Sequence, residues 1–219
     1  DVILDVAKQK GTGRWTSMGA LELGVPAPTI TEAVFARNVS SRKQERLILS
    51  ELYRYLAFEG TEVDRPAVLE DLRQALYASK ICAYAQGFNL LEEAGKVYGW
   101  DLQMGRIAKI WRSGCIIRAR FLDTVSEIFE KENGMTNLLA SGYFSQVLYG
   151  ARAGWGRIIS LAVERGAAVP ALSSALAYFD SYRTARGSAN LLQAQRDCFG
   201  AHTYERIDKE GAFHTDWMN

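Results

Sequence analysis

The chain has 219 residues, of which 48% are hydrophobic, and this is enough to bury a full hydrophobic core. Its 26 Lys and Arg residues are nearly balanced by 25 Asp and Glu residues, so the formal net charge of +1 excludes the strongly basic surface of a nucleic-acid-binding protein. Any anion-binding site must therefore be local.

Apolar residues recur with the period of an α-helix along nearly the whole chain, and strand-like alternation is hardly found, so we predict an all-α fold. Residues 1–7 are predicted to form the end of a helix already in progress. Because they include no initiating Met and no N-cap, we expect the chain to be a fragment of a longer protein. The next predicted helix covers residues 14–23, and its inward residues are Trp15, Met18 and Leu21, with Ala20 as a further candidate for the same face.

Two shorter helices are predicted before a polar loop at residues 60–66. The first covers residues 32–39, is capped by Thr29 or Thr31, and holds Arg37 on a different side from its apolar residues. Those apolar residues are Val34, Phe35 and Val39. The second helix starts at Ser40-Ser41, and its apolar residues are Leu47, Ile48, Leu52 and Tyr55.

The longest periodic segment covers residues 67–100 and is rich in small residues, which let another helix approach closely. We therefore place this segment at the centre of a helical bundle. Asp101 is expected to cap the helix that follows, and a break is expected at residues 134–137. The remaining predicted helices cover residues 101–111, 116–129, 143–165, 171–186 and 189–199.

Three arginines, Arg112, Arg118 and Arg120, lie near the start of the predicted 116–129 helix. They are spaced around the helix, and the acidic residues Asp123 and Glu127 are near enough in sequence to pair with them. We therefore interpret these arginines as structural residues and not as a binding site.

The segment at residues 8–16 places two lysines and an arginine around a Gly-x-Gly turn that leads into a helix. Backbone amides, a hydroxyl and cationic side chains can converge on one anion in such a segment, which is typical of phosphate sites. The alternative is that Gly11 and Gly13 only supply the left-handed backbone of a connection between helices.

A second candidate site lies near the end of the chain, where Arg196 and His202 are separated by a helix end at Gly200. Arginine can bind a phosphate through two parallel hydrogen bonds, and histidine can bind a hydroxyl or a carboxylate. The alternative is structural: Arg196 pairs with Asp197, and His202 caps the helix.

Four segments in order, QKGTGRWT, AVFARNVSS, AQRDCFGAHTY and RIDKEGAFHTDW, resemble the 6-phosphogluconate dehydrogenase family, and the resemblance covers the whole chain. It implies the C-terminal, all-helical part of an enzyme that oxidatively decarboxylates 6-phosphogluconate to ribulose 5-phosphate and reduces NADP. The family's Rossmann domain and its catalytic lysine and glutamate have no counterpart here, so we expect the chain alone to be inactive.

The resemblance also assigns roles to particular residues. The residues implied to contact the sugar phosphate are Lys10, Thr12, Arg37, Arg196 and His202. Enzymes of this family are homodimers, which implies an all-helical domain at residues 1–203 and a tail at 204–219 that crosses to the partner subunit. Arg196 and His202 would then serve the partner's substrate. The competing hypothesis is a helical dimerisation module with no ligand role of its own.

Three isolated cysteines and two histidines indicate neither a disulfide framework nor a metal site. No apolar run is long enough to cross a membrane, and no signal peptide is evident. From these features we expect a soluble, cytoplasmic protein with no nucleic-acid or membrane partner.

Overall fold

The computed structural model describes residues 2–56, 62–132 and 135–217. Within these ranges the chain forms nine α-helices, one short 3₁₀ helix and one antiparallel pair of short strands, which confirms the all-α prediction. The described residues form two compact units, the first ending at Phe179 and the second starting at Asp180. The helices are α1 (Thr12–Glu22), α2 (Pro28–Ser41), α3 (Lys43–Leu52), α4 (Arg65–Tyr98), α5 (Met104–Gly114), α6 (Leu122–Lys131), α7 (Gly142–Glu164), α8 (Pro170–Tyr182) and α9 (Ala189–Gly200). The 3₁₀ helix is Leu138–Ala140, and the strands are β1 (Tyr204–Glu205) and β2 (Ala212–Phe213).

Helix α4 is the central element of the first unit, and it packs mainly against α7. Its 34 residues begin after Asp64, whose carboxylate accepts a hydrogen bond from the Ala67 amide, and end before Gly99, which has a φ of 68°. Ala75, Ala78 and Ala85 of α4 are fully buried, and they belong to the same hydrophobic core as large α7 residues such as Trp155. The predicted helices at residues 67–100 and 143–165 are thus confirmed, with small shifts at their ends.

An ion pair and a glycine mark a close contact between α4 and α7. The Arg157 guanidinium donates to both oxygens of Asp71, at 2.7 and 2.6 Å. A Cβ atom at Gly154 would lie 2.6 Å from Asp71 Oδ1. As long as Asp71 stays paired with Arg157, no residue larger than glycine therefore fits at position 154.

We expect Gly154→Ala to destabilise the chain by about 1–3 kcal/mol, because the new methyl group must displace Asp71 from its ion pair. Urea denaturation measures this loss. The matched control is Gly150→Ala on the same helix, where a Cβ atom would meet no atom within 4 Å. That change should stabilise the chain by about 0.5–1 kcal/mol through helix propensity, so equal effects of the two substitutions would contradict the prediction.

The predicted helix at residues 1–7 is wrong, since residues 2–10 have no regular secondary structure. The polar groups of this segment are used by α2 and α3 instead. Asp5 forms ion pairs with Lys43 and Arg46 at 2.7 and 2.6 Å, and the Ala7 amide donates to the Ser40 hydroxyl at 2.9 Å. The hydrogen bonds from Lys43 and Arg46 lower the pKa of Asp5 to about 2.

The inward face predicted for α1 is wrong for its three large residues and correct for Ala20. Trp15, Met18 and Leu21 are exposed, whereas Ser17 and Ala20 are buried. The cause is a close approach of α1 to α2, which buries small side chains and leaves large ones outside. A Cβ atom at Gly13 would lie 2.8 Å from Val34 Cγ2 on α2.

The same pattern continues along α2 and α3, whose predicted inward residues are mostly exposed. We call these exposed side chains the α1–α3 apolar surface. It consists of Trp15, Met18, Leu21, Phe35, Val39, Leu47, Ile48 and Leu52, with exposures from 49% to 81%. Tyr55, predicted to continue α3, lies beyond its end and is 80% exposed.

Several predicted helix ends differ from the structure. Helix α5 starts after Gln103, and Asp101 accepts a hydrogen bond from the Gln103 side chain instead of capping the helix. Helix α6 starts only at Leu122, and α8 ends at Tyr182, four residues before the predicted end.

In the predicted loop at 60–66, residues 60 and 61 lie outside the described residues, and residues 65 and 66 belong to α4. Residue 134 of the predicted break also lies outside them, and residues 135–137 precede the 3₁₀ helix.

The structural interpretation of the three arginines is confirmed for Arg112, which pairs with Asp123 at 3.0 Å. Glu127 pairs with Lys131 instead of an arginine.

None of the described helices is long and apolar enough to cross a membrane.

Candidate functional site

A cavity of about 360 Å³ lies where the 9–13 turn meets α1 and α2. Lys10, Thr12 and Arg37, three of the five residues predicted to bind the phosphate, line this cavity together. The turn is joined to α2 by a hydrogen bond of 2.9 Å from the Gln9 side chain to Asn38. Lys10 and Arg37, which are 27 positions apart in sequence, therefore line the same cavity.

The start of α1 provides backbone donors at this cavity. Gly11 precedes the helix with a φ of 103°, which favours glycine, and no described side chain caps the helix N-terminus. The first amides of the helix therefore have no intrahelical acceptor, and the helix dipole favours an anion beside them. The alternative of a left-handed backbone therefore holds for Gly11 but not for Gly13, which lies inside α1 and lets α2 approach closely.

The start of α2 is held by a buried side chain of α4. Gln86 is fully buried, and its Oε1 accepts hydrogen bonds from the Thr29 and Ile30 amides at 3.0 and 3.4 Å. Its Nε2 donates to the Thr29 hydroxyl at 2.9 Å. The predicted cap by Thr29 or Thr31 is therefore wrong, because Pro28 already occupies the first turn and Thr29 lies inside the helix. Gln86 supplies the cap from another helix and thereby fixes the helix that carries Arg37.

The polar groups facing the cavity are available for a ligand. Among the residues that the structure describes, no side chain pairs with the Lys10 ammonium, the Arg37 guanidinium or the Thr12 hydroxyl. Two cations, a hydroxyl and helix amides at one opening can bind an anion with several oxygens.

Arg196 and His202, the other two predicted residues, line one pocket of about 290 Å³ in the second unit. Arg196 lies on α9 and donates to Gln193 at 3.1 Å. The His202 ring lies over Gly200, where an added Cβ would be 3.1 Å from two ring atoms. The structural alternative for this segment is wrong for the ion pair, since Asp197 has other partners.

Asp197 is the residue of this region that the sequence reasoning missed. Its buried carboxylate accepts hydrogen bonds from the Thr203 and Thr215 amides at 2.9 and 3.0 Å and from Trp217 Nε1 at 2.8 Å. His214 Nδ1 contacts it at 2.9 Å. Burial alone would raise the pKa of this carboxyl, but the hydrogen bonds from His214, Thr215 and Trp217 outweigh burial and hold the pKa well below its usual range.

The described residues include no group of three or more His, Cys, Asp or Glu side chains that could hold a metal ion. The cavities described above contain cationic and hydroxyl groups, which suit an anionic organic ligand better than a metal.

Comparison with known proteins gives matches along the whole chain. Residues 1–217 match the family model described as 6-phosphogluconate dehydrogenase, C-terminal domain. The chain is 54% identical over 218 residues to an NADP⁺-dependent, decarboxylating 6-phosphogluconate dehydrogenase of Bacillus subtilis, covering 100% of the chain and 46% of the relative. It is 48% identical over 217 residues to the NAD⁺-dependent enzyme of the same organism, covering 99% of the chain and 46% of the relative. The chain thus spans less than half the length of these curated relatives.

A solved structure shows the same fold. The chain superposes with a TM-score of 0.94 and 39% identity on Plasmodium falciparum 6-phosphogluconate dehydrogenase, covering 99% of this chain and 47% of that one. That protein was solved in its apo form, in complex with its cofactor NADP⁺ and in complex with its substrate 6-phosphogluconate.

Proposed function

The chain belongs to the 6-phosphogluconate dehydrogenase family through its C-terminal domain, and we propose that it supplies the substrate-phosphate site of a longer enzyme. That enzyme would oxidatively decarboxylate 6-phosphogluconate to ribulose 5-phosphate and CO₂, a step of the pentose phosphate pathway. The observation that carries the proposal is the cavity at which Lys10, Thr12 and Arg37 meet the uncapped start of α1.

The chemistry of this cavity fits a phosphate monoester. A phosphate dianion is bound by several cations together with neutral donors, and the three side chains and the α1 amides are such a set. Arginine and lysine contribute differently, since Arg37 can form two parallel hydrogen bonds and Lys10 acts as a mobile point charge.

We extend the proposal to a homodimer with a shared site, in which Arg196 and His202 bind the substrate of the partner subunit. One observation supports it. Lys10, Thr12 and Arg37 lie in the first compact unit, whereas Arg196 and His202 lie together in the second. In this proposal the tail at residues 204–219 crosses to the partner as part of the second unit.

The cofactor of the intact enzyme is proposed to be NADP, bound outside this chain's domain. The support is the higher identity to the NADP⁺-dependent relative, 54% against 48% for the NAD⁺-dependent one. A cytoplasmic location belongs to the same proposal.

The α1–α3 apolar surface fits the competing hypothesis of a dimerisation module without a ligand. Replacing a proposed phosphate-binding residue separates this hypothesis from the substrate site.

We expect Lys10→Ala in the intact enzyme to raise KM for 6-phosphogluconate roughly ten- to hundredfold, because a charge-assisted contact to the phosphate is lost. The matched control is Lys8→Ala, because this exposed lysine of the same segment does not line the cavity. Steady-state kinetics of the parent and both variants give the comparison.

Gluconate, which lacks the phosphate, tests the assignment to that group. The parent and the Lys10→Ala variant should use gluconate equally poorly. A variant with unchanged KM for 6-phosphogluconate, or one that loses gluconate turnover to the same degree, would favour the module without a ligand role.

A further inference from the structure

Residues 201–203, which we call the His202 loop, have an unusual backbone. The loop follows α9 directly, and both neighbours of His202 have left-handed φ angles, 49° for Ala201 and 58° for Thr203. Non-glycine residues rarely adopt this conformation, and they keep it only where surrounding contacts hold them. The loop therefore needs anchors, and the structure shows which residues provide them.

The anchors come from α9 and hold both backbone groups of Thr203. The Thr203 amide donates to Asp197 Oδ1 at 2.9 Å, and the Thr203 carbonyl accepts from the Gln193 side chain at 2.6 Å. The Ala201 amide donates to the Asp197 carbonyl at 2.9 Å, which continues the helical ladder by one step.

The same carboxylate holds the end of the chain. Oδ1 of Asp197 is shared by Thr203 and His214, and Oδ2 is shared by Thr215 and Trp217. Residues 213–217 are thereby fixed beside the His202 loop, and strand β2 pairs with β1, which starts directly after the loop. Asp197 is fully buried, so these four contacts replace its hydration.

We propose that Asp197 is a positioning residue for substrate binding, which acts by fixing His202 through the His202 loop and the β1–β2 hairpin. The inference rests on the proposed role of His202 in binding 6-phosphogluconate. Asp197 would thus act on the substrate indirectly, whereas its neighbour Arg196 is proposed to contact the substrate directly. An exposed carboxylate could not act in this way, because water would compete for the same amides.

The test uses Asp197→Asn in the intact enzyme. Asparagine has the same shape but only one acceptor oxygen, so it can serve either Thr203 and His214 or Thr215 and Trp217, but not both pairs. We expect KM for 6-phosphogluconate to rise roughly tenfold while KM for NADP stays unchanged. The control is Asp208→Asn, since this exposed carboxylate of the same hairpin forms an ion pair with Arg206 and, among the described residues, makes no hydrogen bond with the His202 loop, so both constants should stay unchanged.

A double variant distinguishes positioning from a general structural role. If Asp197 acts through His202, then Asp197→Asn should change KM little when His202→Ala is already present. An equal factor in both backgrounds would overturn the inference, as would a parallel rise of KM for NADP. Trp217→Phe gives a milder version, because it removes one donor and keeps an aromatic ring beside Tyr204, and we expect roughly a threefold rise.

The loop itself can be followed by hydrogen–deuterium exchange of the peptide that contains Thr203. Exchange there should accelerate in Asp197→Asn and remain unchanged in Asp208→Asn. Unchanged exchange in Asp197→Asn would overturn the inference. If instead His202→Ala leaves KM unchanged while exchange responds to Asp197→Asn, the proposed role of His202 has failed and the anchoring by Asp197 stands.

Discussion

Mixing two impaired variants of the intact enzyme should restore activity to about one quarter of the parent value. One variant carries Lys10→Ala and Arg37→Ala, and the other carries Arg196→Ala and His202→Ala. After random reassociation half of the dimers contain one subunit of each kind. In the proposed shared site, each mixed dimer has one site built entirely from unaltered residues and one that lacks all four side chains.

Each variant alone should lose most of its activity at a substrate concentration near the parent KM. Two charge-assisted or neutral contacts are missing from every site, which corresponds to roughly a 10²–10⁴-fold loss in affinity. Recovery on mixing is therefore large compared with the starting level. Native mass spectrometry can count the mixed dimers, and reassociation of each variant with itself is the control.

Mixed dimers that form without recovered activity would contradict the shared site. The residues of the first and second units would then serve the same subunit, or Arg196 and His202 would not bind substrate. Single-variant kinetics separate these cases, because only the second leaves the KM of the Arg196→Ala variant unchanged.

Replacing Gln86 by leucine should cost about 2–4 kcal/mol of stability and also weaken substrate binding. Leucine fills a similar volume, so the cost comes from the loss of polar partners and not from a cavity. The Thr29 and Ile30 amides and the Thr29 hydroxyl lose their partner on Gln86, and Thr29 itself is buried. Helix α2 loses its cap, and Arg37 moves with the helix.

Urea denaturation measures the free energy of unfolding. KM for 6-phosphogluconate reports whether Arg37 still reaches the substrate. Gln44→Leu is the matched control, because Gln44 is an exposed residue of α3. A Gln86→Leu variant with parental stability would show that the α2 amides find other acceptors. A destabilised variant with parental KM would show that α2 keeps its place without the cap.

The long helices could be predicted because their sequences satisfy several requirements at once. Helix α4 combines small buried residues with a cap at each end, and α7 has a buried face that runs from Phe144 through Trp155 to Ala162. The short helices α1–α3 were found, but most of the large residues predicted for their inward faces are exposed. Periodicity identifies which residues are apolar, whereas the Gly13–Val34 approach decides which of them are covered.

Contacts between distant segments account for the other errors. Residues 2–10 are irregular because Asp5 binds residues about 40 positions later, and no local pattern encodes such a contact. Gln86 stood in the sequence as one polar residue in an apolar stretch, which was the only signal of its capping role. Asp197 was considered only as an alternative partner of its neighbour Arg196, whereas its hydrogen-bond partners lie 6–20 residues further along the chain. The five proposed substrate residues came from a resemblance, and they remain predictions.

The α1–α3 apolar surface has a consequence for heat capacity. Side chains such as Trp15, Leu21 and Ile48 are already hydrated in the native chain, so unfolding transfers less new apolar area into water. A typical chain of 219 residues gains about 2.6–3.3 kcal/mol/K of heat capacity on unfolding. This chain gains less, as long as no partner covers the α1–α3 apolar surface in the native state. Its free energy of unfolding is therefore a flatter function of temperature, and cold denaturation moves further below the temperature of maximum stability.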